Sequence, residues 1–231
     1  MIKEIKNDLR KLASPGRAKA LQRFFKTGPG EYGEGDIFLG VSVPDSRRVA
    51  KKYSALPLRE IEELLNSKIH EERLVALLLL VQEYGQGGEK EKESIFQFYL
   101  RNTKRVNNWD LVDLSADKIV GEHLLEKPRD LLYRLAKSPS LWERRISIIS
   151  TFSFIRKGDC RDTLRIAELL LEDREDLIHK AVGWMLREVW KREPKAQEAF
   201  LKKHLKKMPR TALRYAIERF PEGKRRRYLS R

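Results

Sequence analysis

The sequence predicts an all-α fold. Nearly every segment between helix breakers carries apolar residues at positions i, i+3, i+4 and i+7, the spacing of an amphipathic helix. No run of alternating apolar and polar residues is long enough to predict a strand. The connections are mostly short and contain Pro, Gly or Ser. Helices are predicted at residues 2–12, 15–26, 44–54, 57–66, 70–85, 90–104, 109–120, 128–137, 140–156, 161–171, 175–191, 195–207 and 210–219.

The breakers fall between these helices in chain order. Ser14-Pro15 separates the first two helices, and the segment from Ser54 to Pro57 separates the third from the fourth. Gly85 to Gly88 ends the fifth helix, and Ser138-Pro139 precedes the ninth. The segment from Thr27 to Val43, with five glycines, is instead predicted to be a long loop. Loops of this length are usually functional or mobile.

The charge distribution points to a polyanionic partner. The chain has 231 residues, 41% of them hydrophobic, which is enough for the core of one large or two small domains, and we expect a single domain over residues 1–231. Its net charge is +15. Residues 1–60 carry 13 Lys/Arg against 7 Asp/Glu, and residues 195–231 carry 13 against 3, while the middle is nearly neutral. We therefore expect nucleic acid to bind. The basic tail 223–231 either adds to this binding as a flexible arm or only adds solubilising charge.

Several classes of protein are disfavoured by the sequence. Cys160 is the single cysteine and cannot form an internal disulfide, and the four histidines lack zinc-binding spacing. The N-terminus has no apolar signal-peptide core, and the longest apolar run, Leu74 to Val81, is too short to span a bilayer. We expect a cytoplasmic, nucleoid-associated monomer with no metal, cofactor or membrane contact.

Cationic positions recur along the chain at a helical-repeat period. Arg73, Arg145, Lys180 and Arg214 are separated by 72, 35 and 34 residues, and Trp109 lies midway across the longest step. Helix pairs with a period of about 35 residues are typical of a HEAT-like solenoid, in which the second helices line one concave surface. The spacing therefore predicts a solenoid whose concave face binds the polyanion.

Trp109 and Asp113 form the most unusual pair in the sequence. On a helix they lie one turn apart on one face, whereas Leu111 and Leu114 fall on the other side. Asp110 is in the first turn, where an acidic residue commonly interacts with the helix N-terminus. Asp113 lies beyond that turn. A carboxylate in a basic groove can stabilise positive charge on a deoxyribose ring or position a water molecule to attack it.

The helix at 175–191 carries a second aromatic residue away from its apolar stripe. Trp184 lies between Lys180 and Arg187, each about one turn away. Trp184 either packs under a neighbouring helix, as most tryptophans do, or forms a platform for a sugar or base beside phosphates.

Arg145 falls within the apolar arc of helix 140–156, where a cation needs a partner. It either extends from the first turn to solvent or emerges beside the groove, where it holds a phosphate or a carboxylate. The shared repeat register with Lys180 favours the second interpretation.

Four segments resemble the hallmark segments of the AlkD-type DNA alkylation repair proteins. They occur in the family's order and span nearly the whole chain. The family's motif has two aromatics before the carboxylate, whereas this chain has Asn108-Trp109. The four segments are Gly35-Asp36-Ile37-Phe38-Leu39-Gly40-Val41 followed by Pro44, Trp109-Asp110-Leu111-Val112-Asp113, Trp142-Glu143-Arg144-Arg145, and Lys180-Ala181-Val182-Gly183-Trp184-Met185-Leu186-Arg187-Glu188.

The resemblance implies a HEAT-like solenoid that binds duplex DNA and excises cationic N3- or N7-alkylated purines without flipping the base into a pocket. By this analogy Asp113 is the catalytic carboxylate, Trp109 and Trp184 pack against the deoxyribose, and Arg145 lies near the DNA backbone. We expect further DNA contacts from Lys180, Arg187, Arg73 and Arg214.

Two other functions fit parts of the sequence. A non-catalytic HEAT-like module could bind nucleic acid or protein with the same fold, because fold alone does not fix function. Asp113 argues against a purely phosphate-binding groove, since a carboxylate repels the backbone. A metal-dependent nuclease is disfavoured, because no second carboxylate or histidine accompanies Asp113 at ligand spacing.

Overall fold

A computed structural model describes residues 1–230 of the chain, so Arg231 lies outside the described residues. Within that range the chain is helical, and its one β contact is an isolated parallel bridge between Ile37 and Ile69. The predicted all-α fold is confirmed. No helix in this range is both long enough and apolar enough to cross a bilayer. The chain divides into two compact units, Met1–Ile119 and a second that begins at Val120.

The first unit is built around α5, a long helix that is buried on almost every side. Its residues Leu74 to Leu80 are nearly all inaccessible to solvent, as expected for a helix that is apolar all round. It packs against α1, α3, α4, α6 and α7. The helices of this unit are α1 (Ile2–Lys11), α2 (Pro15–Phe24), α3 (Val43–Lys51), α4 (Leu58–Leu65), α5 (His70–Gln86), α6 (Glu89–Arg101) and α7 (Trp109–Ala116).

The second unit is built around α12, which packs against α9, α10, α11, α13 and α14. Gly183 lets α12 and α14 approach closely, because a Cβ atom there would lie 2.5 Å from the carbonyl oxygen of Ala212. The helices of this unit are α8 (Asp130–Ala136), α9 (Leu141–Ser150), α10 (Phe152–Arg156), α11 (Arg161–Leu169), α12 (Asp176–Arg192), α13 (Pro194–His204), α14 (Arg210–Ala216) and α15 (Glu222–Leu229).

The predicted helix 140–156 is two helices, broken at Thr151. The Thr151 hydroxyl donates a hydrogen bond to the Ile148 carbonyl at 2.7 Å, a local bond that competes with helix continuation. Gly121 packs against the break, since a Cβ atom there would lie 2.3 Å from the Ser150 carbonyl oxygen. The apolar periodicity continues through the break, which explains why the sequence alone predicted a single helix.

The basic tail 223–231 was predicted as a flexible arm or as solubilising charge, and as far as Leu229 it is helical. α15 covers most of it, and Ser230 is the last described residue. The ring of Tyr228 contacts Phe220 edge-on, with centroids 5.6 Å apart. This contact holds the helix against the rest of the second unit, so the flexible-arm prediction is wrong for these residues.

Candidate functional site

The candidate site in the first unit is centred on α7. The side chain of Asn108 accepts a hydrogen bond from the Trp109 amide at 2.8 Å and so caps the helix. Trp109 and Asp113 are both half-buried, while Leu111 and Val112 are fully buried. The one-turn spacing places Trp109 and Asp113 on the same helix face.

Trp109 is held by a compact group of stacked rings in the first unit, which we call the aromatic column; two of its members, Phe25 and His70, are also 5.1 Å apart between ring centroids. The column consists of Trp109, Phe25, Phe38 and His70. Trp109 stacks on Phe25 with centroids 5.0 Å apart, Phe25 stacks on Phe38 at 5.0 Å, and Phe38 stacks on His70 at 4.5 Å. Phe24 meets the edge of Trp109 at 5.8 Å and is 64% exposed. The column fixes the plane of the indole ring.

A buried ionic network surrounds His70, the charged member of this column. His70 donates from Nδ1 to Asp36 at 3.2 Å and from Nε2 to Asp110 at 2.8 Å. Arg73 donates to the other oxygen of Asp36 at 2.7 Å. Burial pushes the pKa of His70 down, but Asp110 and Asp36 outweigh it and raise the pKa to about 9. His70 is therefore an imidazolium at neutral pH, with a carboxylate on each ring nitrogen.

The two carboxylates of α7 have different surroundings. Asp110 is buried, and besides His70 it accepts the Leu111 amide at 2.8 Å. It is therefore a structural anchor rather than an exposed charge at the helix start. Asp113 is half-buried one turn later. Burial raises the pKa of the nearby Tyr99 hydroxyl, and the charges of Asp117 and Asp113 raise it further. Asp113 is the more accessible of the two α7 carboxylates.

The glycine-rich segment is fastened to α5 by a buried carboxylate. Glu71 accepts the backbone amides of Leu39, Gly40 and Val41 at 2.9, 2.8 and 3.1 Å. Gly40 has φ +82°, and a Cβ atom there would lie 2.3 Å from the carbonyl oxygen of Ser14. Only glycine fits this position without strain. The segment that carries Phe38 into the column is therefore rigidly placed.

Arg73, which was predicted to contact DNA, lies inside the first unit. It is 3% exposed, and besides Asp36 it donates to the Ser67 carbonyl at 2.9 Å. This placement gives Arg73 a structural role, and Arg73 is not among the residues that we propose to contact DNA.

In the second unit, Arg145 is buried and Trp184 is half-buried. Arg145 is 4% exposed and donates to the Leu177 carbonyl in the first turn of α12. Trp184 lies 6.0 Å from Phe152, measured between ring centroids. The buried Arg145 therefore bonds within its own unit rather than emerging beside a groove, and we do not propose it as a contact of the DNA backbone. Trp184 packs on Phe152, and its contact with deoxyribose stays a prediction.

The remaining predicted DNA contacts are three cations of the second unit. Lys180 pairs with Asp176 at 2.9 Å, and this pairing holds the pKa of Asp176 below its usual value. Arg187 pairs with Glu218. Arg214 is exposed on α14. Lys180 and Arg214 remain the candidates for phosphate contacts.

Sequence reasoning missed three residues that organise this site. Phe25 was not distinguished from other apolar residues, His70 was one of four scattered histidines, and Asp36 was recognised only as part of a hallmark segment in the loop. The sequence offered one weak signal, the charged first turn that His70 and Arg73 share, but their burial is seen only in the structure. Within residues 1–230, no group of three or more His, Cys, Asp or Glu side chains is arranged to hold a metal ion.

Comparison with known proteins agrees with the fold and with the motifs. The family model for DNA alkylation repair enzymes matches residues 5–220. The chain belongs to the DNA alkylation repair enzyme family. The resemblance noted in the sequence is thereby confirmed.

A solved structure described as a predicted DNA alkylation repair enzyme from Enterococcus faecalis superposes with a TM-score of 0.72 at 20% identity, covering 91% of this chain and 97% of that chain. This likeness shows a shared fold. No curated protein matches.

Proposed function

We propose that this member of the DNA alkylation repair family is a DNA glycosylase that hydrolyses the N-glycosidic bond of cationic N3- or N7-alkylated purines in duplex DNA. The observation that carries the proposal is the half-buried Asp113, one helical turn from an indole ring that Phe25 holds in place. Family membership supports DNA as the substrate.

The chemistry requires one carboxylate and no general acid. As the bond from C1′ of the deoxyribose to the base nitrogen breaks, its electron pair neutralises the cationic base, which leaves without a proton. Positive charge then develops on the sugar, where the Asp113 carboxylate stabilises it. The oxygen of a water molecule bonds to C1′, and its proton passes to Asp113 or to solvent.

The aromatic face of Trp109 supports this reaction by positioning. A flat, half-buried ring packs well against a deoxyribose, and cationic intermediates are attracted to the faces of aromatic rings. Because the aromatic column fixes the ring, the sugar is held without further ordering of the site. We propose that Trp184 makes a similar sugar contact, with Lys180 and Arg214 on phosphates.

The decisive experiment measures base release from a duplex oligonucleotide that carries one N7-methylguanine, with EDTA present. We expect wild-type protein to release the base and Asp113→Asn to fall to near background while its affinity for DNA is retained. Glu126→Gln removes one exposed negative charge elsewhere and serves as the matched control. No release by the wild type, or full activity of Asp113→Asn, would contradict the proposal and favour a non-catalytic binding module.

A further inference from the structure

The C-terminal helix α15 is a strongly cationic element that the family match does not include. The family model ends at residue 220, and α15 begins at Glu222. The helix has no buried residue, and Arg225, Arg226 and Arg227 are all exposed on it. Its charge therefore does not serve the core of the second unit.

α15 is docked at both ends. In its first turn, Lys224 pairs with Glu198 of α13 and lies over the ring of Trp190 at 4.9 Å. At its other end, Tyr228 contacts Phe220, and Arg210 donates to the Leu229 carbonyl at 2.8 Å. An isolated helix of eight residues is unstable in water, so these contacts keep α15 folded.

The docking contacts determine which side chains face outward. Lys224 and Tyr228 are four residues apart and share the packed face. Successive residues are about 100° apart on a helix, so Arg226 lies opposite that face, with Arg225 and Arg227 on its flanks. The three guanidinium groups thus cover the solvent side of an ordered helix.

The nearby carboxylates neutralise only one of the three arginines of this surface, Arg226. Among residues 195–230, Glu198 pairs with Lys224, Glu218 with Arg187 and Glu222 with Arg226, and these are all the acidic residues of the segment. Within the described chain, neither Arg225 nor Arg227 has an ion-pair partner. The positive charge of these two arginines can therefore be neutralised by an external polyanion.

We propose that the outer side of α15, formed by Arg225, Arg226 and Arg227, is an accessory surface that binds the phosphate backbone of DNA. Arginine suits this role because its planar guanidinium donates two parallel hydrogen bonds to a phosphate. The proposal rests on DNA as the substrate, but not on the glycosylase chemistry. Such a surface raises affinity for any sequence and leaves the reaction at Asp113 unchanged.

The test compares the salt dependence of binding to an undamaged duplex for two triple variants. Binding to DNA weakens with salt, so log K falls with log salt, and each lost phosphate contact makes this negative slope shallower by about 0.9. We expect Arg225→Gln/Arg226→Gln/Arg227→Gln to make the slope shallower by about 1.8 or more. The control removes the same charge from exposed residues at the end of α13 and just after it, as Lys202→Gln/Lys203→Gln/Lys206→Gln, and should change the slope less. Equal slopes for the two variants would overturn the proposal.

Two further variants separate the effect of the positive charge on α15 from the effect of its ordered helical structure. The replacement of all three arginines by lysine should retain most of the affinity. Tyr228→Ala keeps every cation but loosens the helix, so it should weaken binding; unchanged binding would show a flexible tail instead of a docked surface. At saturating protein, the glutamine variant should release N7-methylguanine at the wild-type rate. If the two triple variants differ in slope as expected but wild-type protein releases no base, the glycosylase function fails and the α15 surface stands.

Discussion

The ring of Phe25 lies face to face with the indole of Trp109, with centroids 5.0 Å apart and planes 10° apart. Phe25 follows α2, and Trp109 begins α7. Phe25 is buried against Phe38 on its other side, so the orientation of Trp109 depends on a residue that cannot move without disturbing the core.

Phe25→Ala should destabilise the protein and reduce base release. Removing a buried aromatic ring usually costs about 3–5 kcal/mol, because transfer and cavity terms add. Phe24→Ala is the matched control: it removes the same ring from an exposed position beside Trp109 and should change stability by less than about 1 kcal/mol. Urea unfolding of both variants gives the comparison, and equal losses would contradict the assigned role of the column.

Gly40→Ala should be among the most destabilising small substitutions in the first unit. Its Cβ would collide with the Ser14 carbonyl oxygen at 2.3 Å, and the positive φ is unfavourable for alanine. The control is Gly16→Ala in α2, where nothing lies within 4 Å of the new Cβ, so that variant should be neutral or stabilising by about 0.5–1 kcal/mol. Thermal melting distinguishes the two, and similar melting temperatures would refute the close contact.

His70 should make the stability of the protein fall in alkaline solution. Its pKa rises from 6.5 in the unfolded chain to about 9 in the folded protein, in an environment of Asp36, Asp110 and Arg73. The stabilisation is complete below pH 6.5 and is lost as pH rises through 9, with a total of roughly 3 kcal/mol.

The measurement for His70 is the free energy of unfolding from pH 6 to pH 10 for wild type and His70→Gln. Subtracting the two curves removes the contribution of other groups that titrate in this range. The difference should shrink towards pH 10. A difference that stays constant with pH would mean that folding does not change the pKa of His70.

Arg145 and Arg214 should respond differently to replacement by alanine. Arg145→Ala leaves the Leu177 carbonyl without its charged donor and opens space in the second unit, at a cost of roughly 2–4 kcal/mol. Arg214 is exposed, so its alanine variant should change stability by less than about 0.5 kcal/mol. If Arg214 contacts a phosphate, that variant makes the negative salt slope of DNA binding shallower by about 0.9. Chemical unfolding and salt titrations test both expectations.

The helices and the exposed face of α7 followed from local periodicity. Trp109 and Asp113 share a face because four residues make about one turn, and that relation holds on any helix. The buried residues that hold this face in place could not be predicted from the sequence. Phe25 reaches Trp109 only through the folding of the whole first unit, and buried charge pairs such as Asp36 with Arg73 have no periodic signature. The partner of Arg145 is a backbone carbonyl, which no residue pattern reveals.

The hydrogen bonds that Glu71 accepts from three consecutive amides have a consequence for how this protein would bind DNA. The Leu39–Val41 segment cannot shift towards DNA without breaking all three bonds to a buried carboxylate. We therefore expect this part of the first unit to keep its conformation when DNA binds. Under the proposed function, the deformation that brings a damaged nucleotide against Trp109 then falls mainly on the nucleic acid, and duplexes that bend easily at the lesion should be the better substrates.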